Sequence, residues 1–269
     1  MTPASRIPAA DRDRPRGGPS VTRVAGLTRH NLKLWLGDVQ VPILLLGMPL
    51  AMMAFLRPVY RDTLAGSGFA DASGAEQAVP GMAVMFALLG AGILAADLHR
   101  EKMWGTWERL RASGARTSEI ITGKLLPPLL LLAGQLAVLF TAGTILFDLP
   151  LHGSLAGLVL VAAAFAIAMT ALGTALSATI RSITALGAVG NAASVALAGL
   201  GGAIVPLSVM PEWAAALAPA TPSYWAMRGF QAAIFDSGGL TTAATSTLAL
   251  LAMATILGAI ASWRFRRSP

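Results

Sequence analysis

The chain has no cysteine and very little charge. Without cysteine it forms no disulfide and no thiolate metal site. Asp, Glu, Lys and Arg make up 12% of its 269 residues, where soluble domains run near about a quarter. There are three histidines: His30 and His99, and His152 on the opposite side of the topology derived below. Neither HExxH nor GxSxG occurs. A phosphate-cradling P-loop is missing too, since Gly123-Lys124 is followed by Leu125 and position 118 is serine. No Asp or Glu sits at depth in a long apolar run. That removes the intramembrane carboxylates that many ion-coupled carriers use, and the buried catalytic pair that an intramembrane enzyme needs.

What is present is hydrophobic. Apolar residues make 55% of the chain and the mean hydropathy is +0.66. Uncharged runs cover residues 39–56, 77–96, 125–147, 149–180, 182–211 and 237–263. A helix crossing about 30 Å of hydrocarbon needs roughly 20 residues. Six spans are therefore expected, at about 39–57, 78–97, 125–147, 156–179, 184–206 and 242–263. The runs are continuously apolar rather than alternating, which excludes a strand barrel as their simplest reading. The expected fold is an all-α polytopic membrane protein.

Charge asymmetry sets the orientation. Of the 20 Lys and Arg residues, only Arg57, Arg61 and Arg228 fall on one side of the six spans. Acidic residues divide almost evenly. Lys and Arg collect on the cytoplasmic side of membrane proteins, so both termini are expected in the cytoplasm, as an even number of spans also requires. This sorting accounts for most of the net charge of +7 without any nucleic-acid partner. Residues 1–20, rich in Pro, Arg, Asp and Gly, read as a disordered cytoplasmic tail, with no apolar core of a signal peptide. Residues 21–36 read as an interfacial helix, with Val24, Leu27, Leu34 and Trp35 on lipid and Arg23, Arg29, His30 and Lys33 in water.

The densest charge lies between spans two and three, in REKMWGTWERLR at residues 100–111. Trp104 and Trp107 are three apart and share a helical face, as interfacial anchors do. A plain membrane-flanking loop explains the bases. It does not explain Glu101, Glu108 and Glu119 mixed with Arg109 and Arg116 over 28 residues that keep helical character. The segment reads as a docking surface for a cytoplasmic partner.

Span five is rich in small residues, with Gly187, Asn191, Ser194, Ala198 and Gly202 three or four apart. Small residues let membrane helices approach closely. Asn191 is costly against lipid and is expected to face protein or a pathway. Beyond this span the outer segment is broken. Pro206 kinks or ends the helix. Pro211, followed by Glu212, starts a short helix. Pro222 starts another that carries Tyr224 and Trp225. The region reads either as helices dipping partly into the membrane, where protein or water covers the backbone, or as a surface loop with two amphipathic turns.

Together these residues resemble the membrane-spanning permease subunit of ABC-2 type exporters, over roughly residues 21–267. Glu101, Gly105, Thr106, Glu108 and Leu110 match the pattern that follows the family's second span, and Gly123-Lys124 matches the pair before its third. Gly201, Pro206, Met210, Pro211, Pro222, Tyr224 and Trp225 match the pattern that follows its fifth. One departure is Ser113-Gly114, where a proline is frequent. The resemblance implies a partner P-loop ATPase subunit that carries ATP and magnesium, with no cofactor and no catalytic site in this chain. It implies a second permease copy or paralogue and contact with membrane lipids; the high Ala, Gly, Arg and Pro content suggests a GC-rich bacterial genome, so a bacterial plasma membrane is expected. Glu101, Trp104, Gly105, Thr106, Trp107, Glu108, Arg109, Arg116 and Glu119 would dock the ATPase. Asn191, Pro206, Met210, Pro211, Pro222, Tyr224 and Trp225 would line the pathway or its outer gate. The expected function is efflux of a hydrophobic or amphiphilic compound such as a drug, antibiotic or lipid. A membrane assembly or scaffold protein that docks a cytoplasmic partner without transport would use the same loop.

Overall fold

In hydrocarbon every backbone N–H and C=O must be bonded within the chain, and long apolar segments meet that demand as helices. A computed structural model describes residues 25–26, 28–29, 32–33, 37, 39–68, 71–104, 117–235 and 239–267. Among these residues there are helices and turns and no strand. The spans are α1 (Gln40–Gly66), α2 (Ala75–Met103), α3 (Thr117–Leu146), α4 (Leu155–Thr179), α5 (Ile183–Leu200) and α8 (Gly239–Arg267). Between the last two lie short α6 (Glu212–Leu217) and α7 (Pro222–Phe235). Six helices are long and apolar enough to cross a membrane. The described residues between 25 and 33 are helical, with Arg29 and Lys33 exposed. The tail at 1–20, together with Val24, Leu27, His30, Leu34 and Trp35, lies outside the described residues.

Local chemistry sets the breaks. Ser154 opens α4 by accepting a hydrogen bond from Gly157 N at 3.2 Å, and Ser182 opens α5 by accepting from Ala185 N at 3.4 Å. Each satisfies a donor that the first helical turn leaves unpaired. Helix α1 runs on to Gly66, past Arg57 and Arg61, so it projects beyond its apolar run. It contains one π turn, Ile43–Gly47. Helix α5 stops at Leu200, six residues short of the expected end at 206. Gly202 there adopts φ +86° and Ala203 N donates back to Ala198 O at 2.9 Å. A left-handed glycine with a bond spanning six residues is a strong helix stop, and it acts before Pro206 is reached.

The centre of the bundle is α2. Of its apolar window 78% is buried within the chain, against 22% for each of α1, α5 and α8. Those three present most of their surface to lipid or to another polypeptide. Lipid tails do not drive apolar helices together, so packing depends on close fit. Gly92 of α2 and Gly190 of α5 provide it: a Cβ built on Gly190 would sit 3.5 Å from Gly92 Cα. The buried row of α5 is Leu186, Gly190, Ser194 and Ala198. The expected stripe thus splits. Ser194, Ala198 and Gly202 face inward, whereas Gly187 and Asn191, one position further round the helix, are exposed.

Candidate functional site

At the cytoplasmic end by the orientation above, α2 continues to Met103 and α3 begins at Thr117. The two helices run antiparallel, which brings Glu101 beside Lys124. Lys124 Nζ donates to Glu101 Oε2 in an ion pair. The Lys124 side chain is 7% exposed and that of Glu101 33%. Desolvating such a lysine is costly, and the carboxylate offsets the cost. The pair ties the two ends of the charged loop together. One turn earlier, Arg100 pairs with Asp97 at 3.3 Å on the surface. His99 is buried, and its Nδ1 has no hydrogen-bond partner among the described residues. Met103 and Trp104 are exposed. Glu119 lies in the first turn of α3. Gly105, Thr106, Trp107, Glu108, Arg109 and Arg116 lie outside the described residues.

At the other end, the turn before α2 is a reciprocal cap. Ala75 N donates to Ser73 Oγ at 3.1 Å, while Ser73 N and Ser73 Oγ donate to the Glu76 carboxylate at 3.1 and 3.2 Å. This capping box satisfies orphan donors at the helix start. It also explains how Glu76, almost fully buried, is tolerated. Arg57 ties in two further elements, donating from Nε to Ser73 O at 3.3 Å and pairing with Asp148 at 3.4 Å. A cleft of about 870 Å³ opens beside this turn, lined by Arg57, Arg61, Asp62, Asp71 and Ser73 among others. Its lining includes two guanidiniums and two carboxylates, so it favours neither sign of charge.

The broken segment after α5 is where the structure adds most. Gly202–Ile204 leaves carbonyls that the helix no longer uses, and side chains from two helices meet them, while a third helix bonds the last turn of α5. Gln77 Nε2 of α2 donates to Gly202 O at 2.8 Å and to Ala203 O at 3.3 Å. Tyr60 OH of α1 donates to Ile204 O at 2.7 Å. Ser223 Oγ of α7 donates to Leu197 O. Gln231 Nε2 of α7 in turn donates to Gln77 Oε1 at 2.9 Å. Gln77 and Ser223 are fully buried, and buried amides and hydroxyls must be partnered in this way.

Of the two readings of the outer segment, α7 takes the buried one. Phe230, Met227 and Ile234 are fully enclosed, and Phe230 packs its ring on Phe140 at 4.8 Å and edge-on to Phe165 at 6.4 Å. Pro222 is buried at the first position of α7. Tyr224 and Trp225 stack edge to face at 5.2 Å, and Trp225 Nε1 donates to Pro219 O at 2.9 Å. Pro206 is buried, Met210 half-buried and Pro211 exposed. Asn191 is not part of this cluster. Nine residues before Leu200, it lies about 14 Å down α5 at 1.5 Å per residue, exposed on the single chain. Sequence reasoning missed Tyr60, Gln77, Ser223 and Gln231. The available signal was a polar side chain at the edge of an apolar run with nothing nearby in sequence to bond it.

A family model described as ABC-2 type transporter matches residues 23–235. The chain belongs to the ABC-2 type transporter family. The match spans the charged loop, the broken outer segment and five of the six spans, so both ends just described fall within it. The chain is also similar to ABC transporter G family member 20 of Dictyostelium discoideum, 30% identical over 135 residues. That stretch is 50% of this chain and 18% of the relative, so the chain matches less than a fifth of that protein's length. The family and the six apolar helices together make this an all-α, polytopic membrane polypeptide of the ABC transporter class.

Proposed function

We propose that this chain is the permease subunit of an ATP-driven exporter that moves a hydrophobic or amphiphilic compound out of the cytoplasm. The supporting observation is the family match over residues 23–235. Within it, a charged loop joins two antiparallel spans, one of them the most buried in the bundle. A separate P-loop ATPase subunit would bind ATP and magnesium and press on that loop. Glu101, Trp104, Gly105, Thr106, Trp107, Glu108, Arg109, Arg116 and Glu119 are the docking residues in this reading. The loop can drive a change at the other end only if its contacts differ in free energy between two states. Helix α2 is the mechanical link, because its cytoplasmic end carries Glu101 and its outer end carries Gln77.

A second permease copy would cover the exposed faces of α1, α5 and α8. Asn191, costly against lipid, would then face that copy or the path between the two. Pro206, Met210, Pro211, Pro222, Tyr224 and Trp225 would form the outer end of the path. The Lys and Arg asymmetry supports an orientation with both termini in the cytoplasm, and the high Ala, Gly, Arg and Pro content suits a bacterial plasma membrane.

The test is accumulation of a lipophilic fluorescent dye in inverted membrane vesicles holding this chain and its ATPase. The proposal expects uptake that requires ATP and is lost when the chain is deleted. Uptake of a hydrophilic sugar conjugate, with no uptake across a panel of lipophilic dyes, would contradict the substrate class.

A further inference from the structure

The outer end of the bundle contains two parts of different character. One is α7, fixed at several points. Its start is bonded to the last turn of α5 through Ser223 Oγ and Leu197 O. Its middle is bonded to α2 through Gln231 and Gln77. Its last carbonyls, Ala233 O and Ile234 O, accept from Gly153 N at 3.0 Å and His152 N at 3.2 Å. Its apolar face is interlocked with Phe140 and Phe165.

The other part is the stretch from 205 to 217. It begins just after the carbonyls of Gly202, Ala203 and Ile204, which Gln77 and Tyr60 hold. It ends just before Ala218 and Pro219, whose carbonyls are held by Thr221 Oγ1 at 2.8 Å and Trp225 Nε1 at 2.9 Å. Between these anchors there is one 3-10 turn, one six-residue helix and three prolines' worth of interruption at or beside it, counting Pro206, Pro211 and Pro219. Among the described residues its side chains make one hydrogen-bond contact to the rest of the molecule, the exposed Ser208 and Ser67 hydroxyls at 3.5 Å. Val205, Val209, Trp213 and Leu217 stand exposed by 40 to 65%.

We infer that residues 205–217 form a strap that moves between two fixed anchors, while α7 belongs to the rigid bundle and moves only with α2. Gln77 is the shared fastening, since its amide bonds one anchor through Nε2 and α7 through Oε1. Gly81 makes the fastening possible: a Cβ there would lie 2.2 Å from Ala203 O, so only glycine lets that carbonyl come so close to α2. The outer residues therefore divide. Pro206, Met210 and Pro211 belong to or border the moving strap, and Pro222, Tyr224 and Trp225 belong to the fixed frame. What the strap uncovers when it moves, the outer end of a transport path, rests on the exporter reading above; the division into strap and frame does not.

Hydrogen exchange on the full chain in lipid nanodiscs tests this. In the wild type, amides at 205–217 should exchange more than about tenfold faster than those at 222–235, as separate opening units do. Gln77→Leu should quicken exchange at 201–204 and at 222–235 by about five- to a hundredfold, the range expected when buried partners lose one hydrogen bond. Gln231→Leu should quicken 222–235 alone. The double variant should add little there to Gln77→Leu, because both remove one coupled contact. An α7 that exchanges as fast as the strap in the wild type overturns the inference, as does a Gln77→Leu chain in which 222–235 is unchanged. If Gln77→Leu does not yield a monodisperse protein, Tyr60→Phe removes only a hydroxyl and should quicken 203–205. The measurement needs neither ATPase nor substrate. A negative result therefore removes the strap and leaves the exporter reading standing, and failure of the export test leaves the strap standing.

Discussion

Lys124 is a cation almost enclosed at the start of a membrane span, and its carboxylate partner is 23 residues away. Breaking a buried pair costs roughly 3–5 kcal/mol when both members are deeply buried and nothing else offsets the remaining charge. With Glu101 one-third exposed and Lys124 holding a further interaction, the cost should fall below the low end of that range. Glu101→Gln and Lys124→Gln are each expected to lower the thermal midpoint of the detergent-solubilised chain, and the exchanged pair Glu101→Lys with Lys124→Glu to recover part of the loss. An exchanged pair no better than the worse single variant would show that the pairing itself contributes nothing. Gly81→Ala is a second test at this scale. Its methyl meets backbone rather than a flexible side chain, so overpacking of about 1–3 kcal/mol is expected, seen as lower monodisperse yield than for Gly187→Ala, which meets nothing within 4 Å. Sequence singled out Glu101 for its charge and Lys124 for its place before a span. Their pairing depends on two helices lying side by side, which no local pattern encodes. Gln77 was invisible for the same reason, since its partners are 125 and 154 residues away.

At the scale of elements, the spans were legible because the membrane imposes one length and one polarity on each of them. Their ends were less so. Helix α1 outruns its apolar stretch because charged residues beyond a span do not stop a helix. Helix α5 falls short because Gly202 can take a left-handed conformation and Pro206 comes too late to matter. Helix α7 was ambiguous in sequence, because an amphipathic turn next to a membrane and a helix buried in a bundle share the same apolar spacing. The phenylalanine cluster on Phe230 decides it. The element with the sharpest functional consequence is the segment around α6. Pro211→Ala should change the export rate while leaving recovery of the ATPase with this chain at the wild-type level. An export rate unchanged across substrates would argue against any role of this segment in release.

At the scale of the whole molecule, charge and burial point the same way. Counted along the sequence, most bases fall on one side of the six spans, and α2, the best enclosed helix, runs from the Glu101–Lys124 pair to the polar cluster around Gln77. Three spans left largely uncovered by the chain itself suit a permease completed by a second copy. The family was legible from two weak motifs held at the right separation by six spans. The substrate was not, because the same uncharged helices are needed simply to cross a bilayer. If the proposed exporter reading holds, the charged loop serves an ATPase. The most direct measurement is purification of this chain from native membranes in mild detergent, with identification of what accompanies it and assay of nucleotide hydrolysis in the eluate. A near-stoichiometric P-loop ATPase is expected, with recovery or hydrolysis that drops when Glu101 and Glu108 are both replaced. A chain that elutes without any ATPase, under conditions that keep other membrane complexes together, would contradict the exporter reading and favour a membrane scaffold that transports nothing.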